Sequence, residues 1–130
     1  MMTAKDIMTT QVLTVQPSTP IKEAIKLLIE IEISGLIVID EKEDIVGVIT
    51  ERDLMVAYDF LKKIDAPISD YINRQIISVR EDTPVDQISQ MLVQGDIRRL
   101  PVLDGKKVKG IVSRRDILKG ILKSAKGPAL

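Results

Sequence analysis

The sequence has no cysteine, no histidine and no tryptophan, and its aromatic side chains are Tyr58, Phe60 and Tyr71. Without a thiolate or an imidazole there is no zinc site of the Cys/His kind, no Ser-His-Asp or Cys-His nucleophile and no disulfide framework. No metal centre and no bound cofactor are expected, and carboxylates are left as the acid–base groups to consider. So few aromatic rings also argue against single-stranded nucleic-acid binding by base stacking. Lys plus Arg and Asp plus Glu are equal at 19 each, so there is no general attraction to nucleic-acid phosphates or anionic lipid. Apolar runs stop at about five residues, far from the roughly 20 that span a bilayer. The N-terminus lacks the basic, apolar and small-residue succession of a secretion signal. The expected setting is cytoplasmic.

What is present is 130 residues, 45% hydrophobic and 29% charged, the profile of one globular module. The sequence also repeats itself. Shifted by 64, Asp6 meets Asp70, Thr19-Pro20 meets Thr83-Pro84, Leu28 meets Leu92, Leu36 meets Leu100 and Asp40 meets Asp104. With one residue dropped after Asp104 the shift becomes 63, and Gly47, Arg52 and Asp53 meet Gly110, Arg115 and Asp116. The chain is two copies of one unit, 1–64 and 65–124, followed by a tail, 125–130, that is expected to be flexible.

Each copy reads as strand, helix, strand, strand, helix. Val12 to Val15 and Ile76 to Val79 are short β-rich runs. Thr19-Pro20 and Thr83-Pro84 predict a capping hydroxyl followed by proline at the first helical position. Ile21, Ala24, Ile25, Leu28 and Ile29 then form one helical stripe, echoed by Val85, Ile88 and Leu92. Leu36 to Ile39 and Ile45 to Ile49 predict two strands joined by a charged turn, as do Leu100 to Leu103 and Val108 to Val112. Second helices begin at Thr50 and Ser113, and Met55 and Met91 are expected to fill the core. A three-stranded sheet covered by helices on one face leaves its other face apolar, so the two copies are expected to form one α/β (α+β) module.

Asp6-Ile7-Met8-Thr9, the Thr-Pro helix starts, Arg98-Arg99-Leu100-Pro101-Val102, and Gly47 to Leu54 with its echo Gly110 to Ile117 resemble a tandem pair of cystathionine-β-synthase (CBS) domains, a Bateman module. The resemblance covers about residues 3 to 123. It implies two β-α-β-β-α repeats packed sheet to sheet with pseudo-twofold symmetry, forming clefts that in many members take AMP, ADP, ATP or S-adenosylmethionine. Such modules regulate rather than catalyse, and they commonly pair as homodimers.

The residues themselves suit a nucleotide. A strand glycine permits close approach to the backbone, and the helix that follows offers free N–H groups and the positive end of its dipole to an anion. Thr50 and Ser113 add hydroxyls for phosphate, and Asp53 and Asp116 can accept from a ribose diol. The resemblance adds Arg98, Arg99 and Arg115 as phosphate partners and places adenine against Val12, Leu13, Ile76 and Ile77. A plainer reading stands beside this one: Thr-x-x-Asp and Ser-x-x-Asp are also capping boxes, and Arg98-Arg99 is also a solvated charge pair. The copies differ, since Ser34-Gly35 stands where the second copy has Arg98-Arg99. One tighter site is therefore expected rather than two equal ones.

The reading is a regulatory module that binds an adenine nucleotide, AMP with ADP or ATP competing, and signals to a regulated protein outside this chain. The alternatives are a dimerising scaffold with an empty cleft and an S-adenosylmethionine binder; no enzyme is expected. The neutral total hides a split, for residues 1–64 carry 7 basic and 11 acidic groups, net −4, and residues 65–130 carry 12 and 8, net +4. That split suits a head-to-tail homodimer.

Overall fold

The computed structural model describes residues 1–95 and 97–124; the expected flexible tail, 125–130, lies outside them. In chain order the elements are α1 (Ala4–Ile7), β1 (Thr14–Val15), α2 (Ile21–Ile31), β2 (Gly35–Ile39), β3 (Ile45–Thr50), α3 (Glu51–Leu61), a 3₁₀ turn (Ser69–Tyr71), β4 (Val79–Arg80), α4 (Val85–Gln94), β5 (Arg99–Asp104), β6 (Lys107–Ser113) and α5 (Arg114–Ser124). This is a mixed α+β chain with two three-stranded sheets. The packed units are Leu13–Ile76 on one hand, and Met1–Val12 together with the chain from Ile77 onward on the other.

In Leu13–Ile76 the strand order is β1-β2-β3. β1 lies parallel to β2, with Thr14 opposite Ile37 and Val15 opposite Val38, because the crossover through α2 returns the chain in the same direction. β3 runs back along β2 through a tight turn, Gly35 opposite Thr50 and Val38 opposite Gly47. The core joins Val15, Leu36, Val38 and Ile49 of the sheet to Ile21, Ala24 and Leu28 of α2, Leu54 and Ala57 of α3, and Ile68 and Ile72 beyond. The linker that follows α3, residues 62–76, thus belongs to this unit. Ile21 and Lys22 donate their backbone N–H groups to Ala66 and Ile64, each at 2.8 Å, so the first turn of α2 is closed by the linker.

The other unit repeats the plan with order β4-β5-β6. Val79 lies opposite Val102 in the parallel pair, and Arg99 lies opposite Ser113 in the antiparallel pair. Its core holds Val79, Leu100, Val102 and Val112 with Ile88, Leu92 and Ile117, and Ala4 of α1 is buried among them. The N-terminal segment plays here the part the linker plays in the first unit: Val85 donates to Met2 at 3.0 Å, and Ala4 donates to Thr83 at 2.9 Å.

Three expectations are corrected. The Thr19 and Thr83 hydroxyls do not cap the helices after them; they accept from Gln16 N at 3.0 Å and Arg80 N at 2.9 Å, closing the turns that precede, while Pro20 and Pro84 hold the N-cap positions. The first strands of the copies differ from Val12 to Val15 and Ile76 to Val79, since two residues each make the parallel ladder, Thr14–Val15 in the first and Val79–Arg80, shifted toward the C-terminus, in the second. The helical stripes are wider than the cores they serve. Met91 packs against its core, but Met55 is 72% exposed, with Ile29 at 70%, Phe60 at 78% and Val93 at 79%. A second apolar face therefore points outward from both helix pairs.

Candidate functional site

Helices α3 and α5 each begin where the last strand of their sheet ends. Because β1 and β2 start at one end of their sheet and β3 finishes there, Leu13, Gly35 and Thr50 share that end. By the same register Ile77, Arg99 and Ser113 share the corresponding end of the other sheet. The outer strands of such a sheet are two strand spacings apart, about 10 Å. Each unit by itself thus gathers a hydroxyl, a carboxylate and an apolar residue at one sheet end.

The capping boxes are present in full. Asp53 Oδ2 accepts from Thr50 N at 2.8 Å and from Thr50 Oγ1 at 2.9 Å, and Asp53 N donates to Thr50 Oγ1 at 3.3 Å. Asp116 Oδ2 accepts from Ser113 N at 2.8 Å and from Ser113 Oγ at 3.0 Å, and Asp116 N donates to Ser113 Oγ at 3.3 Å. The four residues are therefore brought together in two pairs. A carboxylate has about four lone-pair positions, so a cap that uses one oxygen leaves the other available, and capping does not exclude a ligand contact.

The helix starts offer less to an anion than expected. Glu51 N donates to Ser34 O at 3.0 Å and Asp53 N to Thr50 Oγ1, so two of the first three N–H groups of α3 are engaged. The strand glycines also serve the chain itself. A Cβ on Gly47 would lie 2.4 Å from Asn73 O and 2.5 Å from Ile72 Cγ2, and one on Gly110 would lie 2.7 Å from Met8 Sδ and 2.9 Å from Thr9 O. The group that approaches each glycine is the segment running beside the sheet, which bridges β3 at Val48 and Asn73 and β6 at Ile111 and Thr9.

The arginines separate by role. Arg114 donates through Nη2 to Leu92 O at 3.3 Å and so ties α5 to the end of α4. Arg99 stands opposite Ser113, and its Nε is buried with no hydrogen-bond partner among the described residues. A buried guanidinium N–H left without an acceptor is costly, and an anion would satisfy it. Arg98 and Arg115 are exposed. Val12 and Ile76 are half-buried, and Leu13 and Ile77 are exposed; the cuts between units fall inside the expected adenine pairs, after Val12 and after Ile76.

One side chain had no assigned role from sequence. Thr9 Oγ1 donates to Asp116 Oδ1 at 3.1 Å. Thr9 stands in the Asp6-Ile7-Met8-Thr9 motif, but nothing local marks a partner 107 positions away. Among the described residues no group of three or more His, Cys, Asp or Glu side chains could hold a metal ion, and no helix is long and apolar enough to cross a membrane.

Known proteins bear on this geometry. The model of the CBS domain matches the chain twice, over residues 4–59 and 68–123. A crystal structure of CBSX2 in complex with AMP superposes with a TM-score of 0.84 at 30% identity, covering 95% of this chain and 98% of that one; CBSX2 is from Arabidopsis thaliana. The CBS domain pair of protein MJ0100, in complex with 5′-methylthioadenosine and S-adenosyl-L-methionine, superposes with a TM-score of 0.77 at 31% identity, covering 95% of this chain and 98% of that one. The inosine-5′-monophosphate dehydrogenase of Methanocaldococcus jannaschii is 32% identical over 89% of this chain, which spans only 23% of that enzyme. The repeat, the two capped sheet ends and a match across both copies agree: this chain belongs to the CBS domain family, with the domain present twice.

Proposed function

We propose that the chain is a regulatory module that binds an adenine nucleotide, AMP with ADP and ATP competing, and passes the binding event to another protein. The observation that carries this reading is the open carboxylate at a sheet end. Asp53 Oδ1 has no hydrogen-bond partner among the described residues, while Oδ2 is held by the cap, so the carboxylate is already oriented and keeps one oxygen for a ribose diol. Leu13 lies at the same sheet end, offering apolar surface to a base. In the other unit, Arg99 Nε, buried and without an acceptor among the described residues, suits a phosphate oxygen at that unit's own sheet end. The AMP held by CBSX2 and the adenosyl ligands held by the MJ0100 domain pair support the ligand class. Among the described residues no activated nucleophile accompanies these groups, and the proposed work is regulation.

The module also pairs with a second copy. The outward apolar faces of α2 and α3 and of α4 and α5 are the surfaces that a second copy covers in this reading.

A thermal-shift panel of AMP, ADP, ATP, S-adenosylmethionine and NAD tests the proposal. Ligand at about 100 times its dissociation constant stabilises by about 2.7 kcal/mol, which raises the midpoint by on the order of 5–10 °C for a domain of this size. A flat response to the whole panel at millimolar ligand rejects nucleotide sensing and leaves the scaffold reading. A response to S-adenosylmethionine alone moves the assignment to that ligand. With AMP bound, 2′-deoxy-AMP is expected to bind about tenfold or more weakly, because a hydrogen bond to a charged group contributes about 1.5–3 kcal/mol; equal affinity would return Asp53 to capping alone.

A further inference from the structure

The two capping boxes differ in what else holds the carboxylate. Asp116 gives Oδ2 to Ser113 and Oδ1 to the Thr9 hydroxyl, and the residue is 8% exposed. Asp53 gives Oδ2 to Thr50, is half-buried, and has nothing on Oδ1 among the described residues. Of about four lone-pair positions on a carboxylate, Asp53 keeps two for a diol, both on one oxygen, and Asp116 keeps one.

The cause is a single exchange between the copies. At the shift of 64 the counterpart of Thr9 is Asn73. Both residues are fixed beside their strand by paired backbone hydrogen bonds, Thr9 with Ile111 at 2.9 and 2.9 Å and Asn73 with Val48 at 2.9 and 3.0 Å. In both cases the contact lies one residue past the strand glycine, Gly110 or Gly47. The backbones therefore match, but the side chains act differently. Thr9 reaches the cap carboxylate, whereas Asn73 turns back and accepts from Gln75 N through Oδ1 at 3.1 Å.

We propose that Thr9 is a positioning residue that sets the order in which the two carboxylates are used: its hydroxyl latches Asp116 Oδ1, so a ribose diol is gripped first by Asp53. The latch is part of the protein and prepaid by the Thr9–Ile111 bridge, so a ligand hydroxyl arriving at Asp116 must displace a partner that is already in place. The α5 end keeps Arg99 for a phosphate, but one of the two positions on its diol oxygen is in use. Thr9 itself is exposed and its hydroxyl can rotate away, so the latch weakens the second event without forbidding it. The inference rests on the nucleotide reading above.

Isothermal titration of the full chain with AMP tests it. The wild-type chain is expected to bind one AMP tightly and a second at least tenfold more weakly. Thr9→Val, which keeps the shape and removes the hydroxyl, is expected to bring the second event to within about threefold of the first, while Thr9→Ser restores the gap. Asp53→Asn is expected to abolish the tight event, and the double variant Thr9→Val, Asp53→Asn to recover one AMP per chain. A second event that stays weak in Thr9→Val, or a tight event that survives Asp53→Asn, overturns the latch while the nucleotide reading stands. AMP binding by none of the variants or the wild type overturns both.

Discussion

At the scale of single residues, a hydroxyl three positions before an aspartate forms a capping box three times, at Thr3–Asp6, Thr50–Asp53 and Ser113–Asp116. At the start of the chain Asp6 Oδ2 accepts from Thr3 N at 2.8 Å and from Thr3 Oγ1 at 3.3 Å. The Thr3 backbone N–H is the main cause that holds the Asp6 carboxyl below its usual value, because it favours the charged form. A carboxyl whose folded value is depressed stabilises the fold fully above its unfolded value, near pH 4, and that contribution is lost as pH falls through the folded value. Asp6→Asn is thus expected to be less stable than wild type at neutral pH, with the gap closing below about pH 4. Urea midpoints measured across that range check it, and a gap that persists unchanged to about pH 2 contradicts the assignment. These boxes are legible in sequence because they are local, three residues from hydroxyl to carboxylate. The same spacing could not reveal that Thr9 holds Asp116, since that bond depends on where the N-terminal segment runs. It also could not reveal that Thr19 and Thr83 turn toward the preceding strand, because a Thr-Pro pair fits a turn as well as a cap.

At the scale of elements, the repeat and the strand-helix order were readable because the apolar periods of 2 and 3.6 residues are strong in both copies. What the repeat could not tell is which segment serves which sheet. Alignment compares residues with one another and carries no contact, so Gly47 and Gly110 looked like openings for a ligand. They are instead the places where the chain's own segments lie against β3 and β6. The consequence is a sharp substitution test. Gly47→Ala sets a Cβ 2.4 Å from Asn73 O and 2.5 Å from Ile72 Cγ2, in contrast to Gly35→Ala, whose nearest atom is Ile49 O at 3.3 Å. Ile72 is part of the core, so the segment cannot yield freely, and overpacking of this kind costs about 1–3 kcal/mol. Guanidinium unfolding is expected to place Gly47→Ala below Gly35→Ala by at least about 1 kcal/mol. Equal midpoints would mean that the linker moves aside at little cost.

At the scale of the whole molecule, the packed units sharpen a charge split that the sequence copies already carry. Leu13–Ile76 holds 7 basic and 12 acidic residues, net −5, and the remainder of the chain holds 12 and 7, net +5. The outward faces carry it unevenly, since the exposed charges of α5 are basic while the α2–α3 face mixes Glu51 and Asp59 with Arg52 and Lys62, the last ion-paired to Asp59 at 3.2 Å. Ile29, Met55 and Phe60 are exposed beside Glu30, Glu51 and Asp59, and an open groove of 830 Å³ between α2 and α3 is lined by Leu28, Ile29, Met55 and Tyr58. Leu118, Ile121 and Leu122 are exposed beside Arg115, Lys119 and Lys123. Apolar patches give two copies a reason to associate, and charges of opposite sign around them set the polarity. In the proposed homodimer the net-acidic unit of one copy therefore meets the net-basic unit of the other. Surface attraction of this kind is screened over about 10 Å at 0.1 M salt and about 3 Å at 1 M, so sedimentation equilibrium is expected to show a weaker dimer at high salt. The absence of cysteine makes polarity directly readable, since any thiol introduced is the only one. Mixing a Met55→Cys chain with a Leu118→Cys chain under mild oxidation is expected to give the mixed disulfide in excess over either self-linked species. A predominance of self-linked Met55→Cys chains would establish the head-to-head arrangement instead, and a dimer that tightens with salt would show that the apolar faces alone hold it.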